Sequence, residues 1–328
     1  MRYVLRLILL SALLTWLIAC APLTPQPQPG QAKLRVVATT TIVGDVVANV
    51  AGDAIELSVL LPSGADPHLF NPTPQDVAKV SQADLVFANG AGLEAFLDGL
   101  LESAGAKEKT FAVSEGIQLL ESASHAHEEA HSQEGEHSHE AEHGHEGEHA
   151  HRHGEGDPHV WLDPNLVKVW VQNIARVLSE KDPQNASLYQ RNAEAYTAQL
   201  DELDRWIRQE VEKIPAENRL LVTDHLMFGY FAQRYGFTQV GAVLPGFSTL
   251  AEPSAQELAQ LEDTIRQYGI KAVFVSKAVN PDLAQRVAED TGVKLVFLHA
   301  HSLDQSSPAN TYLNLMRYNV SAIVEALK

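Results

Sequence analysis

Residues 34–61 read LRVVATTTIVGDVVANVAGDAIELSVLL. LRVVATT and IELSVLL are short, β-branched and strand-like, and the stretch between them carries helical spacing around Val43 to Ala51. The rhythm continues with a helix from Pro74 to Ser81 and a third strand-like run, ADLVFANG. Strands alternating with helices of this length imply a parallel α/β sheet.

The same alternation returns near the carboxyl end. RLLVTD is followed by a helix through His225 to Tyr235, then TQVGAV, a helix from Ser254 to Tyr268, KAVFVS, a helix from Pro281 to Thr291, KLVFL and a final helix to Leu327. Between the halves, NLVKVWVQNIARVLSEKD has helical spacing, and Pro183 opens a second helical pattern to about Lys213 with Leu188, Ala195, Leu200, Leu203, Trp206 and Ile207 as its apolar stripe. Roughly 30 helical residues extend about 45 Å, enough to connect two lobes. The expected architecture is therefore two α/β lobes with mainly parallel sheets, residues 33–182 and 215–328, each with its own core, joined by one long rigid helix at 183–214. Strand order does not follow from the sequence.

The net charge of −18 argues against a nucleic-acid partner, since phosphate backbones are bound by clustered Lys and Arg. Residues 1–20 hold Arg2 and Arg6, an apolar run from Leu7 to Ile18, then Ala19-Cys20, the pattern of an export signal. LIAC, residues 17–20, resembles a bacterial lipobox, so Cys20, the only cysteine, is the expected lipidation site. The Pro/Gln-rich stretch 21–32 reads as a spacer lifting a globular body off the membrane. The protein is expected outside the cytoplasmic membrane, facing a periplasm or the cell exterior, as a lipid-anchored monomer. Residues 121–156 change to His, Glu, Gly, Ala and Ser, a composition that cannot bury enough apolar surface to offset its chain entropy and is expected to be a disordered loop.

Two Asp-Pro-His turns, DPHLFNPT at 66–73 and DPHVWLDP at 157–164, each aim one imidazole from a proline-stiffened loop. Ten of the fifteen histidines lie in the His/Glu-rich loop, leaving His68, His159, His225, His299 and His301, all at element ends. Ligands of open α/β sheets bind beyond the carboxyl ends of the strands, so these side chains can converge on one cleft. Zinc takes four such ligands in a tetrahedron and accepts neutral imidazole, whereas manganese is harder and favours carboxylate.

The lipobox, both Asp-Pro-His stretches, TDHLMFGYFAQRYGF, EPSAQEL and TYLNLMRYN together resemble the zinc and manganese solute-binding lipoproteins of ABC transporters, in order from about residue 34 to 328. The resemblance implies a metal site in the cleft between the lobes, with His68 and His159 from the first lobe and His225 from the second; zinc-type members tend to have His at the third position. The fourth position commonly holds Asp, where this chain reads LHAHSLDQSS; aligning HSL there points to His301, with Asp304 and His299 as alternatives. Many members have Glu where VFVSKAVNP places Ser276.

The loop contains HEEAH, HEAEH and HEGEH, which match the zinc-protease pattern, but that motif needs a stable helix burying one face. The expected role of His125, His127, His131, His137, His139, His143, His145, His149, His151 and His153 is auxiliary, exchangeable zinc binding. The reading is of a non-enzymatic protein that captures Zn²⁺ and delivers it to an ABC permease. Alternatives are a Mn²⁺-binding protein of the same type, a metal-dependent adhesin, and an exported zinc hydrolase, for which Glu252 is the one acid to test.

Overall fold

The computed structural model describes residues 32–121 and 156–328. Cys20, the signal, most of the spacer and the ten loop histidines lie outside the described residues. In the first lobe β1 (Leu34–Ala38), β2 (Ile55–Val59), β3 (Leu85–Ala88) and β4 (Thr110–Ala112) form a parallel sheet in the order β2-β1-β3-β4. In the second, β5 (Leu220–Thr223), β6 (Thr238–Ala242), β7 (Ala272–Ser276) and β8 (Lys294–Leu298) repeat that order as β6-β5-β7-β8. In each parallel sheet the strand order reverses between the two central strands, which opens a crevice at their carboxyl ends.

Helices α1 (Thr41–Ala51), α2 (Pro74–Gln82) and α3 (Leu97–Ala104) belong to the first lobe, and α6 (Gly229–Tyr235), α7 (Ala255–Tyr268), α8 (Asp282–Thr291) and α9 (Tyr312–Leu327) to the second. The helix starts are written locally. Thr73 and Ser254 form capping boxes with Asp76 and Glu257, and Asp163 caps α4 (Pro164–Lys181), whose first residue is a proline. The helix expected from His225 begins only at Gly229, so His225 stands free in the turn after β5.

Between the lobes, α5 (Ala186–Val211) is a single 26-residue helix, about 39 Å long. It packs against α1, α4 and α9. Its buried face is Tyr189, Tyr196, Leu200, Leu203, Ile207 and Val211, whereas Leu188 is half-buried and Ala195 exposed. Two tyrosines join Leu200, Leu203 and Ile207 of the expected apolar stripe, in place of Leu188 and Ala195, because their hydroxyls reach acceptors: Tyr189 donates to Asp182 at 2.6 Å and Tyr196 to Asp45 at 3.5 Å.

The cores are not separate, contrary to expectation. One continuous apolar cluster runs from Val36 and the α1 valines through Trp161, Trp170 and α5 to Phe274, Tyr312 and Leu327; the outer face of each sheet has a smaller cluster of its own. Wide separation of the lobes would expose this shared cluster at about 25 cal/mol per Å² of apolar surface, so the fold favours small relative movements. Among the described residues no helix is long and apolar enough to cross a membrane.

Candidate metal centre

Four loops leave the carboxyl ends of the two sheets and meet. Asp66-Pro67-His68 follows β2, Asp157-Pro158-His159 follows the stem at Glu121 and Gly156, His225 follows β5, and His301 follows β8. The imidazoles of His68, His159, His225 and His301 converge, their candidate ligand atoms all within 4.8 Å of one another. The Nε2 separations are 3.3 Å for His68 and His159, 3.2 Å for His159 and His225, and 3.4 Å for His225 and His301. A tetrahedron with metal–nitrogen bonds of 2.0–2.1 Å has edges of about 3.3–3.4 Å. His159, His225 and His301 are at most 1% exposed, while His68, at 8%, borders the cleft mouth.

Hydrogen bonds behind the rings decide what faces inward. Asp157 Oδ1 accepts from the His159 backbone N–H at 2.9 Å and from its ring Nδ1 at 2.7 Å. Asp224 Oδ1 accepts from the His225 backbone N–H at 2.8 Å and from its Nδ1 at 2.9 Å, while Asp224 Oδ2 accepts from Ser276 N–H at 2.7 Å. With Nδ1 as donor, each ring keeps its lone pair on Nε2. Two such lone pairs 3.2 Å apart in a buried site repel each other, and a cation between them removes the repulsion. The donor set therefore fits a divalent metal.

Burial disfavours protonation of His68, His159 and His301. It lowers His68 to about 3, with help from His301 and His225, and lowers His301 to about 4, with help from His225. His159 is lowered well below its ordinary value, first by burial and then by the three neighbouring rings. Burial raises Asp157 to about 8 in the metal-free protein. Its Oδ2 has no hydrogen-bond partner, and Gly229 leaves it room: a Cβ there would come within 2.8 Å. Asp224 is pushed up by burial but is brought below its ordinary value by the hydrogen bond from His225, with the Ser276 N–H adding to it.

Cross-lobe bonds close the site. Thr249 Oγ1 donates to Asp66 Oδ2 at 2.7 Å at the mouth, and Ser63 Oγ donates to Leu303 O at 2.6 Å. Behind the rings, Trp161 Nε1 donates to Ala300 O at 3.0 Å, and Tyr312 Oη to Trp161 O at 2.7 Å. Asn89 Nδ2 supports the second Asp-Pro-His turn by donating to Pro158 O at 3.2 Å, while buried Glu94 accepts from Asn89 N–H and Thr39 Oγ1.

His299 and Asp304 are not part of the convergence. His299 Nε2 faces Lys277 Nζ at 2.9 Å, and Asp304 accepts from Ser306 N–H at 2.9 Å and Ser306 Oγ at 2.6 Å. The orienting residues Asp157 and Asp224 were not among the expected site residues, although each stands one or two positions before its histidine.

The family model of zinc-uptake complex component A, periplasmic (ZnuA), matches residues 36–326. The chain belongs to the ZnuA family. The manganese ABC transporter substrate-binding lipoprotein PsaA of Streptococcus mitis is 33% identical over 320 residues, covering 95% of this chain and 94% of its own. The solved structure of the periplasmic zinc binding protein TroA from Treponema pallidum superposes with a TM-score of 0.77 at 30% identity, over 90% of this chain and 99% of that one. A Cd-bound periplasmic metal binding protein from Candidatus Liberibacter asiaticus gives 0.72 at 25% identity, over 90% and 100%. As a ZnuA-family protein, the chain is the metal-capturing component of an ABC transporter and not an enzyme; it acts outside the cytoplasmic membrane with a permease as partner.

Proposed function

We propose that this ZnuA-family protein captures Zn²⁺ with His68, His159, His225 and His301 and delivers it, as a monomer lipid-anchored at Cys20, to its permease. The observation that carries this reading is the convergence of four buried imidazoles with no carboxylate among them. Neutral nitrogen donors suit zinc, whereas manganese favours carboxylate and water oxygens. Four protein ligands also leave no open position for a reacting water, which a catalytic zinc requires. The names of the relatives divide between manganese, zinc and cadmium. The donor set is therefore the discriminating feature.

The test is a competition titration of the metal-free protein with Zn²⁺ and Mn²⁺, repeated on a chain lacking residues 122–155 and on that chain carrying His225→Ala. One tight zinc site that survives the deletion, resists manganese and collapses with His225→Ala supports the reading. Equal competition by manganese, or loss of tight binding with the deletion, refutes it.

A further inference from the structure

We propose that Ser276 is a positioning residue for His301 and thereby sets the preference of the cleft for zinc over manganese. The inference rests on the reading of the four imidazoles as a metal site and names a residue that this reading leaves without a role.

Asp157 and Asp224 hold the Nδ1 atoms of His159 and His225, whereas the Nδ1 of His301 faces a hydroxyl, Ser276 Oγ, at 2.9 Å. Ser276 ends β7 and is 1% exposed. Its backbone N–H donates to Asp224 Oδ2 at 2.7 Å, so the carboxylate that orients His225 also fixes the residue that orients His301. Ser276 Oγ accepts a second hydrogen bond, from Ala278 N–H, at 3.3 Å. With the hydroxyl accepting from Nδ1–H, the Nε2 lone pair is aimed at the site, 3.4 Å from the Nε2 of His225. The His301 ring lies nearly parallel to that of His225, with an interplanar angle of 18°.

A neutral partner suits the charge of the site. Three buried carboxylates, Asp66, Asp157 and Asp224, already stand beside the rings. A carboxylate at 276 would leave an uncompensated negative charge beside Asp224, which burial penalises.

Ser276 and His301 also line a cavity of about 280 Å³ that reaches Lys277, His299 and Ser302. Without the hydroxyl, His301 is free to turn, and water from this cavity reaches the vacated position. Three imidazoles with water oxygens make a set that manganese accepts and in which zinc loses its fourth nitrogen. Loss of a hydrogen-bond partner behind a metal ligand costs 10–100-fold in affinity in general.

The test compares full-length wild type, Ser276→Ala, Ser276→Thr and His225→Ala, using zinc titration against a competing chelator, Mn²⁺ competition, the visible spectrum of the Co²⁺ form, and melting of the metal-free protein. Expected for Ser276→Ala are zinc affinity at least about tenfold weaker, a smaller change for manganese and a weakened tetrahedral Co²⁺ spectrum, with near-normal melting and recovery in Ser276→Thr. Wild-type zinc affinity and Co²⁺ spectrum in Ser276→Ala overturn the role of Ser276. So does a loss that tracks a collapse in melting and is not restored by threonine. His225→Ala binding zinc like wild type overturns the site reading itself.

Discussion

Asp224→Asn is nearly isosteric yet incompatible with the bonds around it. Asp224 Oδ1 accepts two donors from His225, and Oδ2 accepts Ser276 N–H at 2.7 Å. An asparagine offers one acceptor oxygen and one NH₂. If the oxygen faces His225, the NH₂ opposes Ser276 N–H, a buried donor facing a donor, at a cost of about 1–3 kcal/mol in stability. If the amide flips, the NH₂ faces His225 Nδ1; that ring must move its proton to Nε2 and ceases to be a ligand. Either arrangement also removes a buried negative charge that compensates the metal. Zinc affinity is expected to fall 10–100-fold, about 1.4–2.7 kcal/mol. Chelator competition at pH 7 measures the affinity, and melting of the metal-free form separates the stability cost. Affinity within about twofold of wild type would refute the assignment of Asp224 as the anchor of His225.

Gly229→Ala places a methyl group against Asp157 Oδ2, with the Cβ 2.8 Å away; melting should show a loss of about 1–3 kcal/mol, with weaker zinc binding as the Asp157 turn shifts. Trp161→Phe removes the indole bond to Ala300 O across the lobes and should cost about 0.5–1.5 kcal/mol and speed zinc release, read by stopped-flow chelation. The metal-free protein should be most stable near pH 6.5. Burial lowers His68 to about 3 and His301 to about 4 from 6.5, so the unfolded state binds more protons below 6.5 and stability falls there. Asp157, raised to about 8 from 3.8, opposes this across its own window, in the same direction as the raised Glu94 and Asp45, so that stability falls as pH rises between 6.5 and 8. Melting curves across pH 5–8.5 check both limbs, and Asp157→Asn should reduce the decline above 6.5.

The two-lobe α/β plan was legible because strand and helix periods alternate clearly from Leu34 onward. The helix ends were legible where Thr73, Asp163 and Ser254 cap them. Strand order was not, since nothing local encodes which parallel neighbours pair. Leu200, Leu203 and Ile207 of the buried α5 face were legible from their spacing, whereas Tyr189 and Tyr196 were not, because tyrosines count as half-polar until Asp182 and Asp45 supply acceptors. His68 and His159 announced themselves through their prolines. The choice among His299, His301 and Asp304 depended on where the chain points after β8, which only the packed fold decides. Ser276 stood out in the sequence without a physical reason; its contact with His301 Nδ1 supplies one.

The most direct measurement is zinc K-edge X-ray absorption on the protein lacking residues 122–155, loaded with one equivalent of zinc. Four imidazole nitrogens at about 2.0–2.1 Å, with the outer-shell scattering of intact rings, are expected. A six-coordinate shell dominated by oxygen, two or fewer imidazoles, or failure of the shortened chain to retain zinc would contradict the four-histidine cleft.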